Sequence, residues 1–183
     1  MVIHGNTDRY LVDEARHGTD KPERQFTIGE IGQDGLDYLA GLPFSYRISP
    51  PGAGSPSDDL LVVHANPQNV EEALRPEFSD AELDAVIGET VAGALVFGHI
   101  HISYVRHLGS MLLVDVAAVG NPKDEDLRCR YGLLRWDEAQ RSWSAEIRKL
   151  DYPLDETIEQ IRSSGLPKPE KTIRKLIAAS YRN

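Results

Sequence analysis

The sequence predicts an α/β fold built around an open sheet, and three observations carry that prediction. The apolar runs Leu60–Val63 and Ala94–Phe97 are continuous rather than alternating, which suits strands covered on both faces. Each passes directly into a polar island, His64-Ala65-Asn66-Pro67 in one case and Gly98-His99-Ile100-His101 in the other. A third island, His4-Gly5-Asn6-Thr7-Asp8, follows the apolar residues 1–3. Open α/β sheets place ligands and catalytic groups where strands end and loops begin, so these islands are the first places to look for chemistry.

In chain order, residues 1–3 read as the tail of a strand that stops at His4-Gly5-Asn6. Residues 34–40 place Leu36, Leu39 and Ala40 on one helical face and stop at Gly41-Leu42-Pro43, while Gly29, Gly32 and Gly35 argue against an earlier start. Residues 44–48 alternate like a half-buried strand, and 49–57 form a turn region rich in Pro, Gly and Ser. Ser79 followed by Glu82 marks a capped helix start, and Gly88 marks its end. After Ala94–Phe97, strand patterns recur at Tyr104–Leu108, 111–116, 131–136 and 143–150, the last two forming a hairpin around 137–142. Helical patterns at 155–163 and 170–180, separated by Gly165-Leu166-Pro167, make 151–183 a helical C-terminal tail of a single domain spanning 1–183.

Composition narrows the partners. A chain of 183 residues is long enough for one domain with a sizeable core. Its 29 acidic residues against 20 basic ones give a formal charge of -9, which repels phosphate backbones and leaves no electrostatic footprint for nucleic acid. The single cysteine, Cys129, has no internal disulfide partner, and the first residues lack the basic stretch and apolar segment of a signal peptide. No apolar run approaches the roughly 18 residues that suggest a membrane span. The expectation is a cytoplasmic protein without membrane association.

Imidazole nitrogens and amide oxygens are suitable ligands for Zn²⁺, Mn²⁺ or Fe²⁺, and an extended segment would point His99 and His101 the same way. Alone, a His-x-His pair is weak evidence, because such pairs are more often structural or solvent-facing. Asn6 taken singly reads as a turn residue, and His64 as a solvated strand end. Their joint location at three strand ends, with Gly98 permitting close backbone approach, favours a shared metal site. His17 and His107 have no other ligand types around them and are expected to be exposed. Lys123, Arg128 and Arg130 are expected on a solvated face, with a phosphate clamp as the alternative. Cys129 precedes an apolar strand and reads as a packing residue.

With these residues in view, the sequence resembles the calcineurin-like metallophosphoesterases, especially their small bacterial and archaeal phosphodiesterase branch. Gly5-Asn6-Thr7-Asp8 is similar to the family's Gly-Asn-His-Asp/Glu motif, His64-Ala65-Asn66-Pro67 to its isolated histidine motif, and Gly98-His99-Ile100-His101 to its Gly-His-x-His motif, in the family's order. Similarity continues through Leu42-Pro43-Phe44, Val119-Gly120-Asn121-Pro122 and Gly165-Leu166-Pro167, so it covers nearly the whole chain.

The resemblance implies a β-sandwich flanked by helices, and a metal-dependent phosphoesterase that hydrolyses a small phosphomonoester or phosphodiester with metal-activated water. It implies a divalent transition metal (Mn, Fe, Zn or Ni), with Asn6, His64 and His99 on one ion and His101 on the other. The family's Asp-x-His and Gly-Asp motifs have no counterpart ahead of Asn6, so the N-terminal strands are expected to be missing, with half of the dinuclear site and much of the activity. Thr7 stands where the family has a histidine, and Asp115 to Ala118 replaces its Asn-Pro-Gly-Ser stretch. No catalytic or substrate-binding residue is assigned. The alternative is a non-catalytic protein-interaction module on the same fold, and an exposed sheet edge offers a route to a homo-oligomer.

Overall fold

The apolar runs at the centre of the chain form the centre of a sheet. In the computed structural model, which describes residues 1–180, β2 (Leu60–Val63) and β3 (Ala94–Phe97) lie side by side and parallel, as the sequence reading expects. β3 pairs in parallel with β5 (Met111–Asp115), and antiparallel strands β1 (Ser45–Ile48) and β4 (Tyr104–Leu108) flank the group. The order is β1-β2-β3-β5-β4, so the two edges of this sheet are only four and five residues long. A second sheet is the hairpin of β6 (Cys129–Asp137) and β7 (Ser142–Leu150).

Burial on both faces explains why the central runs are continuous. Leu61, Val63, Leu95, Phe97 and Leu113 point one way and pack with Leu83, Val86 and Ile87 of α3 (Asp80–Ile87). Leu60, Ala94, Val96, Leu112 and Val114 point the other way and pack with Leu134, Trp143, Ala145 and Ile147 of the hairpin. The alternation is strict, as a period of two requires, and produces a sheet covered by a helix on one side and a second sheet on the other. Trp143 anchors the hairpin by donating from Nε1 to the Asp58 carbonyl at 2.7 Å. α3 begins as the Ser79/Glu82 pattern predicts: the Glu82 N–H donates to Ser79 Oγ at 3.3 Å, and Ser79 N–H donates to Glu82 Oε2 at 2.7 Å.

Two expectations about the first forty residues need correction. Residues 1–3 belong to no strand; Met1 is 85% exposed, and the nearest ladder-like contact is one bond from His4 N–H to the Pro43 carbonyl at 3.1 Å. Asn6, read as a turn residue at a strand end, instead opens α1 (Asn6–His17), which pairs with α2 (Pro22–Ala40) as a helical hairpin. α2 starts at a proline rather than at Asp34, and its glycines are tolerated except at Gly32, where φ 62° and ψ -175° split it into two segments. The chain closes with α4 (Leu154–Ser163) and α5 (Pro169–Ala178); residues 181–183 of the expected tail lie outside the described residues. No helix among the described residues is long and apolar enough to cross a membrane.

Candidate metal centre

Neighbouring parallel strands deliver the first two side chains. The Gly98 N–H donates to the His64 carbonyl at 3.0 Å, so the chain leaves β2 and β3 side by side, and His64 and His99 rise from adjacent strand ends. Asn6 arrives from α1, as its first residue. The preceding Gly5 caps that helix, its N–H donating to Asp8 Oδ2 at 2.7 Å. Gly5 also lies against the His64 ring: a Cβ there would sit 2.9 Å from both Cε1 and Nδ1. Real side chains do not approach that closely, so glycine is what lets the start of α1 reach the imidazole.

Three N/O donor atoms converge as a result. His64 Nε2 lies 3.1 Å from Asn6 Oδ1 and 3.0 Å from His99 Nδ1, and the two rings meet edge to face with centroids 5.0 Å apart. The amide oxygen only accepts hydrogen bonds, and each neutral imidazole carries a single N–H, so the three atoms have more lone pairs than protons to share. Donors at adjacent positions on one ion, with metal–nitrogen distances of about 2.1 Å, stand roughly 3 Å apart. The observed spacing matches that, and the donor set therefore fits a divalent transition metal. Among the described residues, no group of three or more His, Cys, Asp or Glu is placed to hold an ion, so the cluster depends on the Asn6 amide.

The electrostatics agree with this donor set. Burial, reinforced by the neighbouring His99, pushes the His64 pKa down to about 4, against the opposing fields of Asp8 and Glu71. Burial also lowers the pKa of His99, which the Glu71 carboxylate opposes. Both rings are neutral at pH 7, the state a metal ligand needs. Glu71 is held by the Tyr10 hydroxyl, which donates to Oε2 at 2.5 Å, and its negative charge favours a cation beside both rings.

His101 makes no hydrogen bond to this trio. Its backbone adopts φ 61°, the left-handed region, at a cost of roughly 1 kcal/mol for a non-glycine residue. Two contacts hold it there: Nδ1 donates to the Asn121 carbonyl at 2.7 Å, and its own carbonyl accepts from Lys123 N–H at 2.9 Å. The first fixes the tautomer, leaving the Nε2 lone pair free.

The other residues singled out in the sequence divide clearly. His17 and His107 are exposed, as expected. Cys129 opens β6, its thiol donating to the Leu150 carbonyl at 3.4 Å. Arg130 overturns the expectation of a solvated face: its side chain is fully buried, and Nη2 donates to Asp124 Oδ1 at 2.7 Å and to the Asp126 carbonyl at 3.2 Å. Arg128 pairs with Asp126 at 2.7 Å at the surface. Lys123 faces the cleft beside His99 and His101, together with Glu71 and Arg75, two residues that sequence reasoning missed. Both lie in the loop before α3, where charged residues carry no distinguishing pattern.

No family model matches the chain. Among solved structures, it is similar to a metallophosphoesterase from Sphaerobacter thermophilus, at 19% identity and a TM-score of 0.73, over 97% of this chain and 76% of that one. It is also similar to a hypothetical protein from Pyrococcus horikoshii, at 15% identity and a TM-score of 0.75, over 98% of this chain and 73% of that one. At these identities the likeness is one of fold, and the chain has the mixed α/β fold that the Sphaerobacter metallophosphoesterase displays.

Proposed function

We propose that Asn6, His64 and His99 hold a divalent transition-metal ion, and that the chain is a metal-dependent phosphoesterase acting on a small phosphorylated substrate. The observation that carries this reading is the convergence of Asn6 Oδ1 and His99 Nδ1 on His64 Nε2, at 3.1 and 3.0 Å from it, in an environment that keeps both imidazoles neutral. The fold shared with a metallophosphoesterase supports it. A divalent ion there would supply Lewis-acid activation of water and positive charge for a phosphoryl oxygen.

The chain's own residues do the positioning. Gly5 admits the start of α1 to the imidazole, Glu71 contributes negative charge that favours a cation, and Asn121 holds His101 with Nε2 unblocked as the ligand for an adjoining ion. Calorimetric titration with Mn²⁺ tests the proposal: one ion per chain should bind tightly, and His64→Ala and His99→Ala should each weaken binding by about a hundredfold, in line with the loss of one of three ligands. Full retention of Mn²⁺ affinity in both variants would refute the assignment. A chain that binds the ion yet fails to hydrolyse bis(p-nitrophenyl) phosphate would instead keep the site and discard the activity.

A further inference from the structure

The largest fully buried side chain among the described residues carries a charge: Arg130, at the start of β6, has a side chain with no exposed surface. Its Nη2 donates to Asp124 Oδ1 at 2.7 Å and to the Asp126 carbonyl at 3.2 Å, while Nε and Nη1 find no acceptor among the described residues. Taking a guanidinium out of water offsets most of what such a pair gains, and the two unpaired donors add to the cost. Stability is therefore a poor account of Arg130, and geometry is a better one.

The geometry concerns the loop between β5 and β6, residues 116–128. Arg130 grips this loop at two points: its backbone N–H donates to the Ala118 carbonyl at 2.9 Å, and its side chain reaches Asp124. Between those points lie Asn121 and Lys123, the two residues that hold His101. The Asn121 carbonyl accepts from His101 Nδ1 at 2.7 Å, and the Lys123 N–H donates to the His101 carbonyl at 2.9 Å. The far side of the loop is tied to the end of α5, where Glu125 N–H donates to the Ala179 carbonyl at 2.8 Å and Asp124 bridges Ser180. Arg130 supplies the anchor on the hairpin side.

Three backbones in this arrangement are left-handed: His101 at φ 61°, Asn121 at 55° and Glu125 at 63°. Non-glycine residues seldom take that conformation, and where they do the surroundings must over-determine it. A neutral imidazole left in water favours the Nε2–H form, so the Nδ1–H that His101 donates has to be imposed by its acceptor. We propose that Arg130 is a positioning residue for His101: it fixes residues 118–124 so that the Asn121 carbonyl keeps the proton on Nδ1, which leaves the Nε2 lone pair available to a cation. This rests on the reading of His101 as the ligand for an adjoining ion. Arg130 makes no hydrogen bond to His101 itself and acts through the loop.

Nitrogen-15 NMR of the imidazoles tests this in the full chain, with EDTA present and at about pH 8.5, above the ordinary imidazole range. Protonated and bare ring nitrogens of a neutral histidine resonate far apart, so the spectrum reads the tautomer directly. The unaltered protein should show His101 in the Nδ1–H form. Arg130→Met, which removes the charge, and Asp124→Ala, which removes its partner, should each lose that form in favour of Nε2–H. Asp124→Asn retains an oxygen for Nη2 and should keep it. Backbone amide shifts of β2 and β3 that match the parent show that a variant is folded. Should Arg130→Met fail that check, the two Asp124 variants decide, because the Asp124 side chain is 22% exposed and Arg130 retains the Asp126 carbonyl without it. A folded Arg130→Met or Asp124→Ala that keeps the Nδ1–H form would overturn the proposal, as would the Nε2–H form in the unaltered protein or in Asp124→Asn. A Mn²⁺ titration of the unaltered chain separates the two readings: no binding with the tautomer pattern intact removes the metal reading alone, and binding with a tautomer indifferent to these substitutions removes the role of Arg130 alone.

Discussion

The ends of β2 and β3 and the end of β5 lie next to one another in the same parallel arrangement, yet burial does opposite things to their polar residues. At the first two ends it takes the charge off His64 and His99, and a neutral imidazole is a better ligand than a charged one. At the third it raises the pKa of the Asp115 carboxyl to about 7, against the lowering effect of the Ala117 N–H, which donates to Oδ1 at 2.9 Å. Asp115 Oδ2 is buried without a hydrogen-bond partner among the described residues, and the side chain is fully covered. Desolvation favours the neutral form in every case; it makes imidazoles ready to take a cation and makes a carboxyl unready to do so. The candidate site gathers on the ends of β2 and β3 and leaves out the end of β5.

The largest effect should come from breaking the first region without touching a donor atom. Gly5→Ala places a Cβ 2.9 Å from two atoms of the His64 ring, so the ring or the start of α1 must move. Donor positions that now match one ion would spread, and Mn²⁺ affinity should fall by at least about tenfold, while thermal unfolding shifts by no more than the roughly 1 kcal/mol of a mild overpacking. Unaltered Mn²⁺ binding in this variant would mean that the present spacing of the three donors is not what the ion requires.

The second region offers a change of opposite sign. Asp115 keeps its proton in the folded chain up to about pH 7, whereas in the unfolded chain it releases it near the ordinary carboxyl value of 3.8. The folded state binds more protons across that window, so this residue's contribution to stability falls as pH rises from about 4 to 7 and is level above it. Asp115→Asn keeps an oxygen for the Ala117 N–H and does not titrate. The variant should be nearly neutral at pH 4 and more stable than the parent at pH 8, by on the order of 4 kcal/mol. Denaturant unfolding at the two pH values measures this; an advantage that shrinks with rising pH would show that Asp115 is ionised and paired in the folded chain.

These two regions also show what could be read from the sequence. β2 and β3 were legible to the residue because fully buried parallel strands write themselves as unbroken apolar runs. The meeting of His64 and His99 followed from their positions at the ends of those runs. α1 was hidden because Gly5-Asn6-Thr7-Asp8 carries turn residues, and only the capping carboxylate of Asp8 turns that string into a helix start. The first part of α2 was hidden by its glycines. Glu71, Arg75 and the burial of Arg130 depend on contacts between distant segments, which no local pattern records.

A smaller effect should follow at the joint between the sheet and the hairpin. Gly132 of β6 faces Val116, just beyond β5, and a Cβ added there would lie 2.6 Å from Val116 Cγ1. A neighbour that close must shift, so Gly132→Ala should destabilise the chain by about 1 to 3 kcal/mol, the usual range for inserting volume into a packed contact. Metal binding should survive, because neither residue bonds to the donor trio. Loss of Mn²⁺ affinity in step with stability would show that the hairpin helps to set the strand ends.

The smallest effect is expected at His107, and it calibrates the rest. This histidine lies in β4, opposite Leu112 of β5, and is exposed. It shares the residue type of the candidate ligands but neither their burial nor their convergence on other donors. His107→Ala should leave Mn²⁺ affinity unchanged within error and alter stability by less than about 0.5 kcal/mol, as for most surface substitutions. Measured beside His99→Ala by the same titration, it separates a specific site from adventitious binding by surface imidazoles. Equal losses of affinity in the two variants would mean that burial and convergence do not distinguish a ligand here, and the contrast between the strand ends would lose its chemical meaning.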